Sequence, residues 1–248
     1  MNERYSSLPQ RVSALGPVAC RRGQVLLRPL TRSDGARWRH LRLQDEPILR
    51  PWEVSSAMTW DERHDGGAWR RHRRELRSAE VRGEAIALAI CLDDEFVGQV
   101  TVGGIQRGVL RSGWIGYWVG TPWNGLGVAT TAVALAVDFA LSRGGLHRVE
   151  ATIAPGNVAS RKVVSRLGFR QEGLLERYLD VDGRWQDHLL FAMTAEELVR
   201  PLAERVAEIL AAPRHSSGSS SDPQHSVPAP RPDAEPIITR ANREITHD

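Results

Sequence analysis

The stretch Trp114 to Thr131 constrains this chain most. It opens as a strand, with Ile115, Tyr117 and Val119 alternating with Gly116 and Trp118 in a run rich in aromatic and β-branched residues. It breaks at Gly120-Thr121-Pro122 and passes through a glycine-spaced loop, Asn124-Gly125-Leu126-Gly127-Val128-Ala129. A long apolar helix follows from Thr130 to Leu141. A strand, a glycine loop and a helix N-terminus together make an anion site. The first amides of a helix have no partner within it, the helix dipole is positive there, and glycine lets a ligand approach the backbone. A phosphate is therefore expected on the amides of about Leu126 to Thr130. The loop is not a P-loop, because no Gly-Lys-Ser/Thr follows it. The half-polar, glycine-bearing strand before it is unlike the apolar first strand of a dinucleotide fold.

A second segment lies downstream. The strand Val149 to Ile153 leads into Asn157-x-x-Ser160-x-Lys162 and then Leu167-Gly168-Phe169. Asn157 suits the N-cap of a helix from Val158, Gly168 suits its C-cap, and Val163, Val164 and Leu167 give it an apolar face.

These two segments, in this order, resemble the GCN5-related N-acetyltransferases (GNAT superfamily). In that family a Gln/Arg-x-x-Gly-x-Gly/Ala loop holds the pyrophosphate of acetyl-CoA; Asn124 departs from the usual Gln or Arg. Arg28-Pro29-Leu30, Leu49-Arg50-Pro51-Trp52-Glu53 and Gly183-Arg184-Trp185-Gln186-Asp187 resemble the RimJ/RimL branch, whose members acetylate the N-terminal amine of ribosomal proteins. The resemblance implies an α/β (α+β) GNAT fold. It has a central mixed, mostly antiparallel, twisted sheet of about seven strands, with flanking helices. Two neighbouring strands splay apart, one ending at Val119 and the other around Glu150 to Ile153.

It also implies roles. The pantetheine arm would bond to backbone near Trp118 and Val119. Asn124, Leu126, Gly127, Val128, Ala129 and Thr130 would hold the pyrophosphate, with Asn157, Ser160 and Lys162 beside the arm. Ser160 and Tyr178 are rival acids for the leaving thiol. Glu150 is the first choice of base, with Glu53 and Asp187 as alternatives. Trp52, Glu53, Trp185 and Asp187 would face the acceptor. Direct attack needs no covalent intermediate, so a missing Cys/His pair is no obstacle. An α-amine, at about 7.7–8.0, is easier to deprotonate than a lysine near 10.4.

The 248 residues divide into an extension over 1–22, a catalytic domain over 23–195, an amphipathic C-terminal helix over 196–212 and a tail over 213–248 disordered by composition. Residues 1–22 read as polar and irregular, without the apolar core of a signal peptide. No run approaches the length of a membrane span. Cys20 and Cys91 show neither metal spacing nor a disulfide framework, which suits a reducing cytoplasm. A net charge of +3 makes no case for nucleic acid, and Lys162 is the only lysine.

In chain order, Gln24 to Leu30 reads as the first strand, with a helix from Thr31 or Asp34 to about Leu43. Thr59 to Arg82 reads as one helix with a charged face, and Glu84–Leu92 and Phe96–Ile105 as a hairpin about Asp93-Asp94-Glu95. A last hairpin turns at Val181-Asp182-Gly183, and a capping box, Thr194-x-x-Glu197, opens the helix to Ala212.

The leading expectation is acetyl transfer from acetyl-CoA to a protein N-terminus, with a ribosomal protein or the ribosome as the candidate partner, by a monomer or homodimer. The alternatives are a small-molecule amine or another acyl donor such as succinyl-CoA, a CoA-binding module without catalysis, and a ribosome-associated factor using Arg70, Arg71 and Arg74.

Overall fold

The computed structural model describes residues 12–212. The tail over 213–248, with His215, His225 and His247, and the first eleven residues of the extension lie outside them. One eight-stranded sheet runs in the order β1-β2-β3-β4-β5-β6-β8-β7. The strands are β1 (Leu15–Cys20), β2 (Gly23–Pro29), β3 (Ile86–Leu92), β4 (Glu95–Gln106), β5 (Ser112–Val119), β6 (Arg148–Ile153), β7 (Arg170–Val181) and β8 (Arg184–Thr194). The helices are α1 (Gly35–Gln44), α2 (Glu46–Leu49), α3 (Trp60–Arg63), α4 (Ala68–Val81), α5 (Val128–Leu141), α6 (Val158–Leu167) and α7 (Leu202–Ala211).

The extra strand is β1, in the segment read as irregular. It pairs antiparallel with β2 at the sheet edge, where the bulge at Gly16-Pro17 breaks the alternation that would have betrayed it. Proline is tolerated at such a position. The β3–β4 hairpin forms as read, with Asp93 at φ 47° and Asp94 at φ 69° making its tight turn.

Three other elements differ from the reading. The Thr59–Arg82 segment breaks at Asp65-Gly66-Gly67 into α3 and α4, since two consecutive glycines do not propagate a helix. Thr59 and Glu62 form a reciprocal capping box that starts α3. The Thr194–Glu197 box also forms, but on a single 3-10 turn; Pro201 then restarts the chain as α7. Asp138 of α5 accepts hydrogen bonds from the amides of Leu202 (2.8 Å) and Ala203 (2.9 Å), capping α7 from another helix. Asp34 lies at the start of α1 but makes no side-chain cap. It accepts instead from Arg28 in a bidentate pair and from the Thr31 amide.

Apolar residues fill both faces of the sheet. α5, α6 and α7 cover one face, with Ile90, Val97, Val133, Val137 and Leu167 in its core. α1 and α4 cover the other, around Trp38, Leu41, Trp69, Cys91 and Phe96. Cys91 is fully buried, as a small core residue.

Among the described residues, β5 and β6 are the only parallel pair in the sheet order. They meet at Ser112, Gly113 and Trp114, opposite Arg148, Val149 and Glu150, and then part. The gap between them is the splay expected from the resemblance, and β1 shifts it one strand along.

A charged ladder ties β6 to β7. Arg148 bonds both Glu150 (2.6 Å) and Glu172, and Arg170 bonds Glu172 and Glu197. The Arg148 guanidinium, helped by Arg170, holds the Glu172 carboxyl at about 2, below its ordinary 4.5. The folded state therefore prefers the ionised form. Its contribution is complete above pH 4.5 and is lost as pH falls toward 2. Glu172→Gln is expected to flatten the fall of Tm across that window. The effect at neutral pH should be under about 1 kcal/mol, because the ladder faces solvent. An unchanged acid limb in a thermal melt series would refute the assignment.

Candidate active site

The glycine loop ends at a helix start whose first amides are left unbonded, as an anion cradle requires. Gly127 is the N-cap of α5 at φ 89°, in the left-handed region that favours glycine, and no side chain caps the helix. The first intrahelical bond is from the Thr131 amide to the Gly127 carbonyl (2.9 Å), so the amides of Gly127, Val128, Ala129 and Thr130 have no acceptor within the helix. Two contacts hold the loop. Arg21, in the β1–β2 turn, donates from its amide to the Leu126 carbonyl (3.1 Å) and from its guanidinium to the Gly125 carbonyl (3.3 Å). Asp45, buried at the end of α1, accepts from the Thr121 amide (2.7 Å). Neither residue was legible as part of the site, since each acts across the fold.

Asn124 is exposed, and Lys162 on α6 is exposed. Asn157 caps α6 through its side-chain oxygen, which accepts from the Ser160 amide (3.1 Å). The Ser160 carbonyl accepts from the Tyr117 hydroxyl (3.3 Å). This bond spans the splay, from β5 to the first turn of α6. Burial pushes the Tyr117 phenol up to about 12, so it stays protonated and is a donor.

On the opposite side, a cavity of about 700 Å³ opens beside the splay. Its lining includes Gly116, Tyr117 and Trp118 from β5, Ala151 to Ile153 from β6, and Asn157 and Ser160. The far wall brings Arg42 from α1, Trp52 and Glu53, Arg63 and His64 from α3 and its end, and His72 and Glu75 from α4. Gln99 and Thr101 of β4 lie at its base.

Arg42 is the hub of that wall and is only 5% exposed. Its guanidinium lies over the rings of Trp60 (4.9 Å) and Trp118 (5.3 Å). It donates to Glu53 (2.6 Å) and, from Nε, to His64 Nε2 (3.1 Å). An Nε–H donor requires His64 Nε2 to accept, so the ring proton sits on Nδ1 and is given to the Trp60 carbonyl (2.7 Å). Burial lowers His64 to about 4, so it is neutral at ordinary pH. The other Glu53 oxygen is held by Arg63 (3.2 Å).

The structure sorts the expected site residues. Trp52, Glu53, Trp118, Asn157 and Ser160 line the cavity. Glu150 shares the β6 face of Thr152 but lies further from the splay, bonded to Arg148 and outside the lining. Tyr178 is half-exposed on β7 and packs edge-on against His188 (6.0 Å), which does line the cavity. Trp185 is 66% exposed. Asp187 is spent on the Arg177 amide (2.8 Å). Neither borders the cavity. For Trp185 and Asp187 strand alternation set the outcome, since His188, the next residue along the strand, turns to the cavity; Glu150 is instead held back by Arg148. Tyr117 is the tyrosine that lines the cavity and bonds the Ser160 turn. Its alternation with Gly116 and Trp118 was a usable signal.

Comparison with known proteins agrees with this architecture. Residues 24–170 match the model of the acetyltransferase (GNAT) domain. The structure of Mycobacterium smegmatis RimJ in complex with CoA-disulfide superposes with a TM-score of 0.80 at 44% identity, covering 82% of this chain and 97% of that one. The [ribosomal protein uS5]-alanine N-acetyltransferase of Escherichia coli is 29% identical over 157 residues, 62% of this chain and 79% of that protein. The probable N-acetyltransferase YjcK of Bacillus subtilis is 39% identical over 101 residues; the chain spans 56% of that relative's length. With a glycine cradle, a splayed parallel pair and these matches, the chain belongs to the GNAT acetyltransferases, a family whose donor is acetyl-CoA, in its RimJ-like branch.

Proposed function

We propose that this enzyme transfers the acetyl group of acetyl-CoA directly to the N-terminal α-amine of a protein, a ribosomal protein being the first acceptor to test. The observation that carries this reading is the acceptor cavity. It runs from the splay to a rim where Trp52, Val54 and Met58 are each about half-exposed. A rim of that kind suits an extended peptide entering by its first residues. The name of the Escherichia coli relative, a ribosomal-protein alanine acetyltransferase, points to the same acceptor class.

In this reading the amides of Leu126 to Thr130 hold the pyrophosphate, with Asn124 and Lys162 at its flanks. The backbone of Trp118 and Val119 holds the pantetheine arm. Asn157 and Ser160 border the sulfur, and the Ser160 hydroxyl protonates the leaving thiolate. Tyr117 fixes the Ser160 turn. Trp52 and Glu53 contact the acceptor, and Glu53 does so with both oxygens held by arginines. Most of the acceleration then comes from holding amine and thioester together.

The test is thiol release from acetyl-CoA with peptides bearing free Ala, Ser or Met N-termini, beside N-blocked forms, polyamines and free amino acids. Turnover is expected with free peptide N-termini and absent with blocked ones. Turnover with small amines alone would overturn the acceptor assignment. Tyr117→Phe is expected to lower kcat about tenfold with little change in CoA affinity; equal kcat would remove Tyr117 from the site.

A further inference from the structure

Three imidazoles line the cavity, His64, His72 and His188, the last giving its Nδ1 proton to the Gln186 carbonyl (3.1 Å). Both nitrogens of His64 are committed, one to Arg42 and one to the Trp60 carbonyl. His72, on α4, uses only one. Its Nε2 lies 3.0 Å from the Gln99 side-chain oxygen. Gln99 in turn donates from Nε2 to the Thr101 hydroxyl (3.1 Å). The Gln99 oxygen can only accept, so His72 carries its proton on Nε2, and Nδ1 is a basic lone pair. Among the described residues the His72 ring makes no other hydrogen bond.

The ring is held in place. It stacks on Trp38 (5.7 Å, 22° between planes) and tilts against Trp69 (5.8 Å). Gln99 pairs directly with Trp118 across β4 and β5, so the relay stands beside the strand that borders the splay. The carboxylates are less well placed. Both oxygens of Glu53 are bonded to arginines. Glu150 and Asp187 lie outside the cavity. Glu75 lines it but is exposed to solvent.

We propose that His72 is the base of the transfer, its Nδ1 accepting a proton from the acceptor ammonium directly or through one water. The proposal rests on N-acetyl transfer but not on which amine is the acceptor. The neutral amine attacks the thioester carbonyl, the C–N bond forms, and the C–S bond breaks. The second amine proton leaves as the amide forms and replaces the one that the acid has given to the thiolate. His72 returns its own proton to solvent, so each turnover releases one proton.

The groups around His72 are Arg42 from α1, His64 across Trp38, Glu53, and Arg71 and Glu75 on its own side of the cavity. β4 and β5 present neutral Gln99, Thr101 and Trp118. Burial, opposed by the Gln99 bond and reinforced by Arg42, lowers the imidazole from its ordinary 6.5. A base of this kind is unprotonated and ready at neutral pH.

The experiment is the pH profile of kcat for the intact enzyme, His72→Gln, His72→Ala and Glu75→Gln, using whichever amine the wild type turns over. CoA binding and Tm are measured in parallel. The wild-type acid limb should have its midpoint below about 6.5. His72→Gln should lower kcat about 100-fold or more and erase that limb, while CoA still binds. Added imidazole should restore part of the kcat of His72→Ala, which a purely structural role would not allow. Unchanged kcat in both His72 variants, a limb that persists in them, or a limb that vanishes in Glu75→Gln would overturn the proposal. A wild type that turns over only small amines would overturn the peptide reading and leave this test intact.

Discussion

Gly127→Val is expected to weaken CoA binding between ten- and a thousandfold and to lower Tm by several degrees, measured by titration calorimetry and thermal melting. Two effects add. At φ 89° a side chain is strained by about 1–2 kcal/mol, more for a β-branched one. A Cβ at this position would also stand 2.6 Å from Leu210 Cδ1 and 3.0 Å from Cδ2. The clash falls on the far end of the half-buried Leu210 side chain, which can rotate aside, so the loss comes chiefly from the loop rearranging to relieve the backbone strain. If the cradle amides turn away, each lost hydrogen bond to a charged oxygen is worth about 1.5–3 kcal/mol, which gives the stated range. Gly125→Ala is the control. Its φ is 75°, but nothing lies within 4 Å of the new Cβ, so it carries strain alone and its Kd should stay within about tenfold. A Gly127→Val protein that binds CoA like the wild type would show that these amides do not hold the phosphates.

The Gly127 cradle was legible in the sequence because its physics is local. A glycine with positive φ, a helix start and a preceding strand all fall within a few consecutive residues. The same holds for Asn157 and Gly168 at the ends of α6, and for the Asp93-Asp94 turn. The acceptor wall was not legible, because its residues acquire meaning only through partners on other elements. His72 sits in a run of arginines that reads as a solvated helix face. Its partner Gln99 is on β4, and its stacking partner Trp38 is on α1. The i, i+3 spacing of Trp69 and His72 was the one available sign that this face turns inward. Glu53 lines the cavity, but its suitability as a base depends on Arg42, eleven residues earlier and on α1. Tyr178, Trp185 and Asp187 were expected from the family resemblance, which carries no register; they lie on a hairpin whose pairing shifts between Leu175 and Leu179 and outside the cavity lining.

Arg42→Met is expected to destabilise the fold by about 3–5 kcal/mol, the range for breaking a buried ion pair from one side. Tm should fall by roughly 6–20 °C at this chain length. Methionine roughly keeps the length of the side chain, so the loss is electrostatic more than steric. Glu53 would lose its 2.6 Å partner, His64 Nε2 would become an unmatched buried acceptor, and Trp60 and Trp118 would lose the cation between them. Arg42→Lys should recover only part of this, because an ammonium lacks the planar fork that bonds Glu53 and His64 at once. Adding Glu53→Gln to Arg42→Met discriminates between two accounts. If the methionine variant suffers chiefly from an uncompensated carboxylate, neutralising Glu53 should regain about 1–2 kcal/mol and the double-mutant cycle should show strong coupling. Additive losses would mean instead that Arg63 alone satisfies Glu53 and that Arg42 serves the Trp60–His64 shelf. The cycle also bears on function, because Arg42 lines the acceptor cavity and touches Trp118 of β5. Coupling in stability should therefore be matched by a rise in acceptor KM, with CoA affinity little changed, since the glycine cradle rests on Arg21 and Asp45 rather than on Arg42.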